Sequence, residues 1–125
     1  MDIKEIKSNL KMENLFFKEC SIKRINSHFS GELKADLQKD IKEIDEHTYD
    51  VELKLTIEGE GLELLAVARA QFVYEAEDYE KEESIVNNNT VAIMFPFVRS
   101  QVSLLTTQPG MSPIVLPPIN TAKFK

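Results

Sequence analysis

The stretch Tyr49-Asp50-Val51-Glu52-Leu53-Lys54-Leu55-Thr56-Ile57-Glu58-Gly59-Glu60-Gly61 decides the fold. Apolar and polar residues alternate through it with a period of two, the pattern of a strand with one buried and one wet face. After Gly61 the alternation resumes. Leu62, Leu64, Ala66, Ala68, Ala70, Phe72 and Tyr74 fall on one face, and Glu63, Leu65, Val67, Arg69, Gln71 and Val73 on the other, which is itself partly apolar. The two glycines flanking Glu60 are expected to supply the positive φ angles of a tight turn, so the two segments pair as an antiparallel hairpin.

Upstream of the hairpin, Leu15 to Ile25 mixes aromatic, β-branched and charged residues and reads as a first strand. Glu32 to Leu37 alternates Leu33, Ala35 and Leu37 with Lys34 and Asp36 and reads as a second. From Asp36 to Glu46 the residues Leu37, Ile41 and Ile44 also have helical spacing, and the segment is read as the end of that strand followed by a linker. Residues 1–12 carry Ile3, Ile6 and Leu10 at helical intervals, which fits either a short amphipathic helix or a mobile arm.

Downstream, Glu75 to Glu83 is strongly acidic and reads as a solvated connector or short helix, with docking of a basic partner as the alternative. Asn87, Asn88, Asn89 and Thr90 offer N-cap oxygens just before Val91, Met94, Phe95, Val98, Val102 and Leu105, which share one helical face. A long apolar helix is expected to begin there. Pro96 must then lie in its first turn or kink it, re-aiming Phe95 and Phe97. Beyond the helix, Pro109, Pro113, Pro117 and Pro118 stiffen an apolar loop containing Ile114, Val115, Leu116 and Ile119. Such a loop set against a helix makes the wall of a groove. The order of elements predicts one α+β domain over 1–125, a four-stranded antiparallel sheet packed with a long C-terminal helix and a proline-rich loop.

Bulk composition narrows the function. The 125 residues are 42% hydrophobic, enough for one core. A formal charge of -6 and a pI near 5.0 oppose binding to a phosphate backbone, so nucleic acid is not expected as a partner. Cys20 is the single cysteine, with no partner for a disulfide or a redox motif; it reads as a small core residue in a reducing compartment. The N-terminus shows no apolar block of secretory length, and the run Val91 to Val98 is far short of the roughly 20 residues a membrane span requires. A cytoplasmic protein without membrane insertion is expected. His28 and His47 are isolated from any metal-ligand spacing, and all four glycines read as turns, so the expectation is no enzyme, no metal and no cofactor.

Three motifs stand together in the C-terminal third: Met94-Phe95-Pro96-Phe97-Val98-Arg99, the turn Thr106-Thr107-Gln108-Pro109-Gly110, and Pro113-Ile114-Val115-Leu116-Pro117-Pro118-Ile119-Asn120. In order and spacing they resemble the SecB-type protein-export chaperone family, with Thr121 where that family has an aromatic. The strand Tyr49 to Leu55 is similar to the family's third strand. The resemblance implies a holdase that binds unfolded or precursor polypeptides in hydrophobic grooves between the sheet and the helix and loop, with Phe16, Phe17, Phe95, Phe97, Ile114, Leu116 and Ile119 lining or supporting them. It implies a homo-oligomer, dimer or tetramer, with Val91, Met94, Val98, Val102 and Leu105 at the interface. A translocation motor would dock through acidic residues on the outer sheet face, for which the first-strand segment Lys18 to Lys23 offers Glu19. Family members continue into another helix after this motif whereas this sequence stops at Lys125, and lack of that helix would open one groove wall. Two further readings stand beside the general holdase. One is a dedicated adaptor or chaperone for one partner, such as a toxin-antitoxin component; the other is a structural oligomer whose apolar helix and loop are consumed by self-association.

Overall fold

A computed structural model describes residues 9–25 and 30–117. Four strands and one helix account for most of them: β1 (Leu10–Arg24), β2 (Ser30–Asp45), β3 (Thr48–Glu60), β4 (Leu62–Tyr74) and α1 (Glu82–Leu105). The strands form one sheet in the order β1-β4-β3-β2, every neighbouring pair antiparallel. The hairpin of β3 and β4 therefore occupies the centre, and β1 and β2 are the edges.

The hairpin matches its alternation. Val51, Leu53, Leu55 and Ile57 of β3 and Leu64, Ala66, Ala68, Ala70, Phe72 and Tyr74 of β4 turn inward and are buried beneath α1. The three alanines of β4 let the helix approach the strand closely, and α1 packs over β4 and its two neighbours, β1 and β3. From the helix, Val86, Val91, Met94, Phe95, Val98 and Val102 complete the core. Full burial of each large aliphatic or aromatic side chain contributes about 1.5–3 kcal/mol, so this layer dominates the stabilisation. Of the two turn glycines only Gly61 has a positive φ, at 87°. Gly59 is still in the strand, paired with Leu62, and a Cβ there would meet the Leu33 side chain.

The other elements differ from expectation in length. β1 starts at Leu10, which is buried and pairs with Tyr74, so Leu10 to Met12 belong to the sheet and not to an arm; residues 1–8 lie outside the described set. β2 continues to Asp45 with no linker, because Leu37 and Ile41 pair with Leu55 and Val51 and lie on the same inner face. Tertiary pairing overrides the helical spacing there. α1 begins at Glu82, not after the asparagines. Thr90 is in the helix interior, where its hydroxyl donates to the Val86 carbonyl at 2.6 Å in place of capping. Pro96 sits well inside the helix, neither in the first turn nor buried, and both it and Ala92 four residues earlier lie on the exposed side, where water can serve the carbonyl that proline leaves without a donor.

Candidate functional site

Two features frame the functional surface: how far α1 covers the sheet, and where the segment after α1 goes. β2 contributes Leu33, Leu37 and Ile41 to the inner face, all only half-buried, with Ala35 exposed between them. None is sealed as the β3 residues are, because β2 lies on the far side of β3 from the helix axis. The result is an inner-face row on an edge strand that is apolar from Leu33 to Leu37 and is closed at Lys39, whose side chain reaches the Asn87 carbonyl of α1; Ile41 beyond it lines the cleft at the N-terminal end of the helix.

The flanks of α1 are distinguishable at 100° per residue. Phe97, Gln101 and Leu104 share one flank; the Gln101 side chain lies near enough to the Cys20 thiol of β1 to oppose the rise of its pKa, which places that flank over β1. Arg99, Ser103 and Thr106 share the opposite flank, on the side of β3 and β2. Along it the chain returns in extended form after the turn at Gln108 to Met111. Arg99 Nε donates to the Leu116 carbonyl at 2.9 Å, Ser103 Oγ to the Ile114 carbonyl at 2.9 Å, and the Ile114 amide to Thr106 Oγ1 at 2.8 Å. Ile114 and Leu116 turn in against the core, while Val115 between them is 75% exposed. Leu33 and Leu37, on the side of α1 along which this strap runs, mark the candidate polypeptide-binding groove.

The sequence-based site residues are distributed as follows. Phe16 and Phe17 cannot line the same surface. Met12 pairs with Phe72 on the inner face, and unbroken alternation would send Phe16 inward; a bulge at Asn14, whose φ is 57°, shifts the register so that Leu15 and Phe17 face the core and Phe16 faces out opposite Arg69. Asn tolerates this left-handed backbone better than most residues. Phe95 is buried in the core and Phe97 is 45% exposed on the β1 flank. Ile114 and Leu116 lie together on the strap; Ile119 is outside the described residues. Val91, Met94, Val98 and Val102, expected at an oligomer interface, have no exposed surface within the chain's own core, and Leu105 is half-buried. Glu19 is exposed on the outer face opposite Val67, near Lys18–Glu52 and Arg69–Asp50 ion pairs at 3.6 and 3.8 Å, so the charge there is mixed. Cys20 is half-buried on the inner face, and burial chiefly pushes its thiol pKa up.

A cleft of about 580 Å³ at the N-terminal end of α1 was not foreseen. Its walls include Tyr49, Tyr79, Glu43 and Glu82. Glu82 is buried; its carboxylate accepts the Tyr49 hydroxyl and, at 2.6 Å, His47 Nδ1–H, and Tyr79 stacks on the His47 ring with centroids 4.0 Å apart. Burial first, then the Glu82 carboxylate, push the Tyr49 hydroxyl pKa well up. Burial likewise lowers the pKa of Lys39, whose Nζ donates to the Asn87 carbonyl at 3.0 Å. These contacts tie the β2–β3 turn to the first turn of α1 and explain why the helix starts at Glu82. Charge alone does not distinguish the residues of the acidic run, and the one buried carboxylate in it, Glu82, is recognisable only from its partners. Among the described residues no group of three or more His, Cys, Asp or Glu is placed to hold a metal ion, and no helix is long and apolar enough to cross a membrane.

The family model for preprotein translocase subunit SecB matches residues 4–124. The protein-export protein SecB of Alkalilimnicola ehrlichii is 29% identical over 125 residues, covering 91% of this chain and 66% of its own. An uncharacterized protein of Methanocaldococcus jannaschii is 41% identical over 46 residues, 37% of this chain and 30% of the relative. The chain thus spans less than two thirds of either relative's length. Among solved structures, a SecB-like chaperone of Mycobacterium tuberculosis in complex with a ChAD peptide from an antitoxin superposes with a TM-score of 0.64, at 16% identity over 94% of this chain and 95% of the other. A protein of unknown function from Streptococcus agalactiae gives 0.56 at 11% identity over 86% and 96%. Both likenesses are of fold.

Proposed function

Because the chain belongs to the SecB family, with a family model matching residues 4–124, we propose that it is a chaperone of the holdase kind, capturing unfolded or precursor polypeptides without nucleotide. The observation that carries this is the half-open aliphatic row of β2. Leu33 and Leu37 stand directly beside sealed core residues yet remain half-exposed, on the side of α1 along which the strap runs. An unfolded client offers scattered apolar side chains, and a non-directional apolar surface receives them without reading their sequence. Ile114 and Leu116 pack against the core on the flank of α1 that faces β2, and Phe95 is part of that core; Phe17 packs at the opposite edge of the sheet, on β1. Phe97, with Leu104, forms a separate exposed apolar strip on the β1 flank, suited to a further client segment or to a second copy of the chain in a homo-oligomer. The residues at the buried centre of α1 hold the fold together instead of an oligomer. The cytoplasm, where precursors are still unfolded, is the compartment this activity requires. A translocation motor is not needed for capture, and the mixed charge around Glu19 favours a function without one.

The test is suppression of aggregation of a chemically denatured, non-cognate protein at rising molar ratios, with oligomer mass measured on the same preparation. Suppression near one assembly per client, reduced by Leu37→Ser in a protein of unchanged mass, is expected. An intact protein that fails to suppress would overturn general capture. That failure would favour the second reading, a dedicated chaperone for one partner, which is supported by the antitoxin peptide bound to the solved SecB-like chaperone. Tight binding of a single segment would then be the finding.

A further inference from the structure

Residues 112–117 join no strand and no helix. Along α1 they are held by the three side chains on one flank, Arg99, Ser103 and Thr106, whose bonds go to the carbonyl of Leu116 and to the carbonyl and amide of Ile114. Every one of these bonds is to main chain. A row of this kind grips an extended backbone whatever its side chains, which is the requirement for a site that receives many sequences. The gripped residues stand two apart, so their side chains point the same way in extended chain, and Ile114 and Leu116 both turn toward the core while Val115 turns out.

We infer that Arg99, Ser103 and Thr106 form a main-chain-reading row for extended polypeptide with aliphatic residues two apart, and that residues 112–117 occupy it in the free chain as a built-in competitor. The inference rests on the capture function proposed above and names how the same groove is regulated. The strap is suited to leaving. Ser112, Pro113, Val115 and Pro117 are exposed, so only two side chains seat it. Pro113 and Pro117 have no amide hydrogen, and a client with other residues at those places brings two donors that the strap lacks. The half-buried row of β2 lies on the same side of α1, so a client displacing the strap gains Leu33 and Leu37. The free chain therefore binds clients with an affinity reduced by the fraction of time the strap is seated.

The test uses the full chain and a labelled, reduced and carboxymethylated lactalbumin, which stays unfolded without denaturant. Releasing the strap with Ile114→Ser and Leu116→Ser is expected to tighten binding by about threefold to tenfold, because the competing occupant is weakened. Pro113→Gly with Pro117→Gly keeps both aliphatic side chains but makes the seated strap entropically more costly, and is expected to shift binding the same way. Adding Arg99→Gln and Ser103→Ala to the released chain removes the two donors of the row and is expected to loosen binding about tenfold again. Circular dichroism and a thermal melt identify any variant that has lost its fold. Folded released variants that bind no more tightly than the unaltered chain overturn the competitor, and weaker binding would make the strap part of the capture surface. Unchanged binding after loss of the row overturns the row. Binding by none of the proteins overturns the capture function and this inference with it.

Discussion

The inner faces of β3 and β2 stand in direct register, Leu55 beside Leu37 and Val51 beside Ile41 with Lys39 beside Leu53 between them, yet the aliphatic residues of one are sealed and those of the other half-open. Neighbouring strands are about 4.8 Å apart, so the difference arises within a single strand spacing. It comes from the helix. α1 lies over β4 with β1 and β3 to either side, and its apolar face ends before β2. Leucine in β3 stabilises the fold, and leucine in β2 is left to meet something else. The same physical effect, removal of apolar surface from water, supports stability in one place and binding in the other.

The largest expected effect breaks the centre. Phe72 is fully buried, and Phe72→Ala should destabilise the protein by about 3–5 kcal/mol in a denaturant titration. Leu37→Ala, two strands away, should cost about 1 kcal/mol or less because the side chain is only half removed from water, while weakening client binding severalfold. Equal stability losses at both positions would erase the distinction between a sealed and a half-open face.

Glu82→Ala tests the anchor that sets where α1 starts and so how much of the sheet it covers. It leaves the Tyr49 hydroxyl and His47 Nδ1–H without their shared acceptor, and a loss of about 1–3 kcal/mol is expected, with fraying of the first helical turn seen by hydrogen exchange. The same cluster gives a pH signature. The folded-state pKa of Tyr49 is raised above its ordinary 10.0, so above pH 10 the folded state binds more protons than the unfolded one. The stabilisation is fully present below pH 10 and is lost as pH rises beyond it. Tyr49→Phe should reduce that alkaline decline in thermal melts; an unchanged slope would assign it elsewhere, Tyr74 being also raised by burial.

The smallest effect is expected at Phe16, exposed on the outer face. Phe16→Ser should change stability by no more than about 0.5 kcal/mol and leave client binding unaltered. Lost client binding in that variant would move the capture surface to the other side of the sheet and invert the comparison.

Period-two alternation from Tyr49 to Tyr74 was enough to determine the central hairpin, its turn and its buried face, because a strand has only two faces and the wet one had to be the charged one. The helix was legible in its second half from Val91 to Leu105, and the motifs around Phe95-Pro96-Phe97 and Pro117 were enough to point to the family that the comparison then established. The rest depended on contacts between residues far apart in the chain. The helical spacing of Leu37 and Ile41 yielded to pairing with β3, the bulge at Asn14 divided Phe16 from Phe17, and burial of Glu82 against Tyr49 and His47 moved the helix start ahead of the asparagines. Which apolar residues remain half-open is a question of coverage, and coverage depends on where the axis of α1 comes to rest over the sheet. Local sequence carries the period of each element, and only the packing of one element on another decides which of its faces is left for a partner.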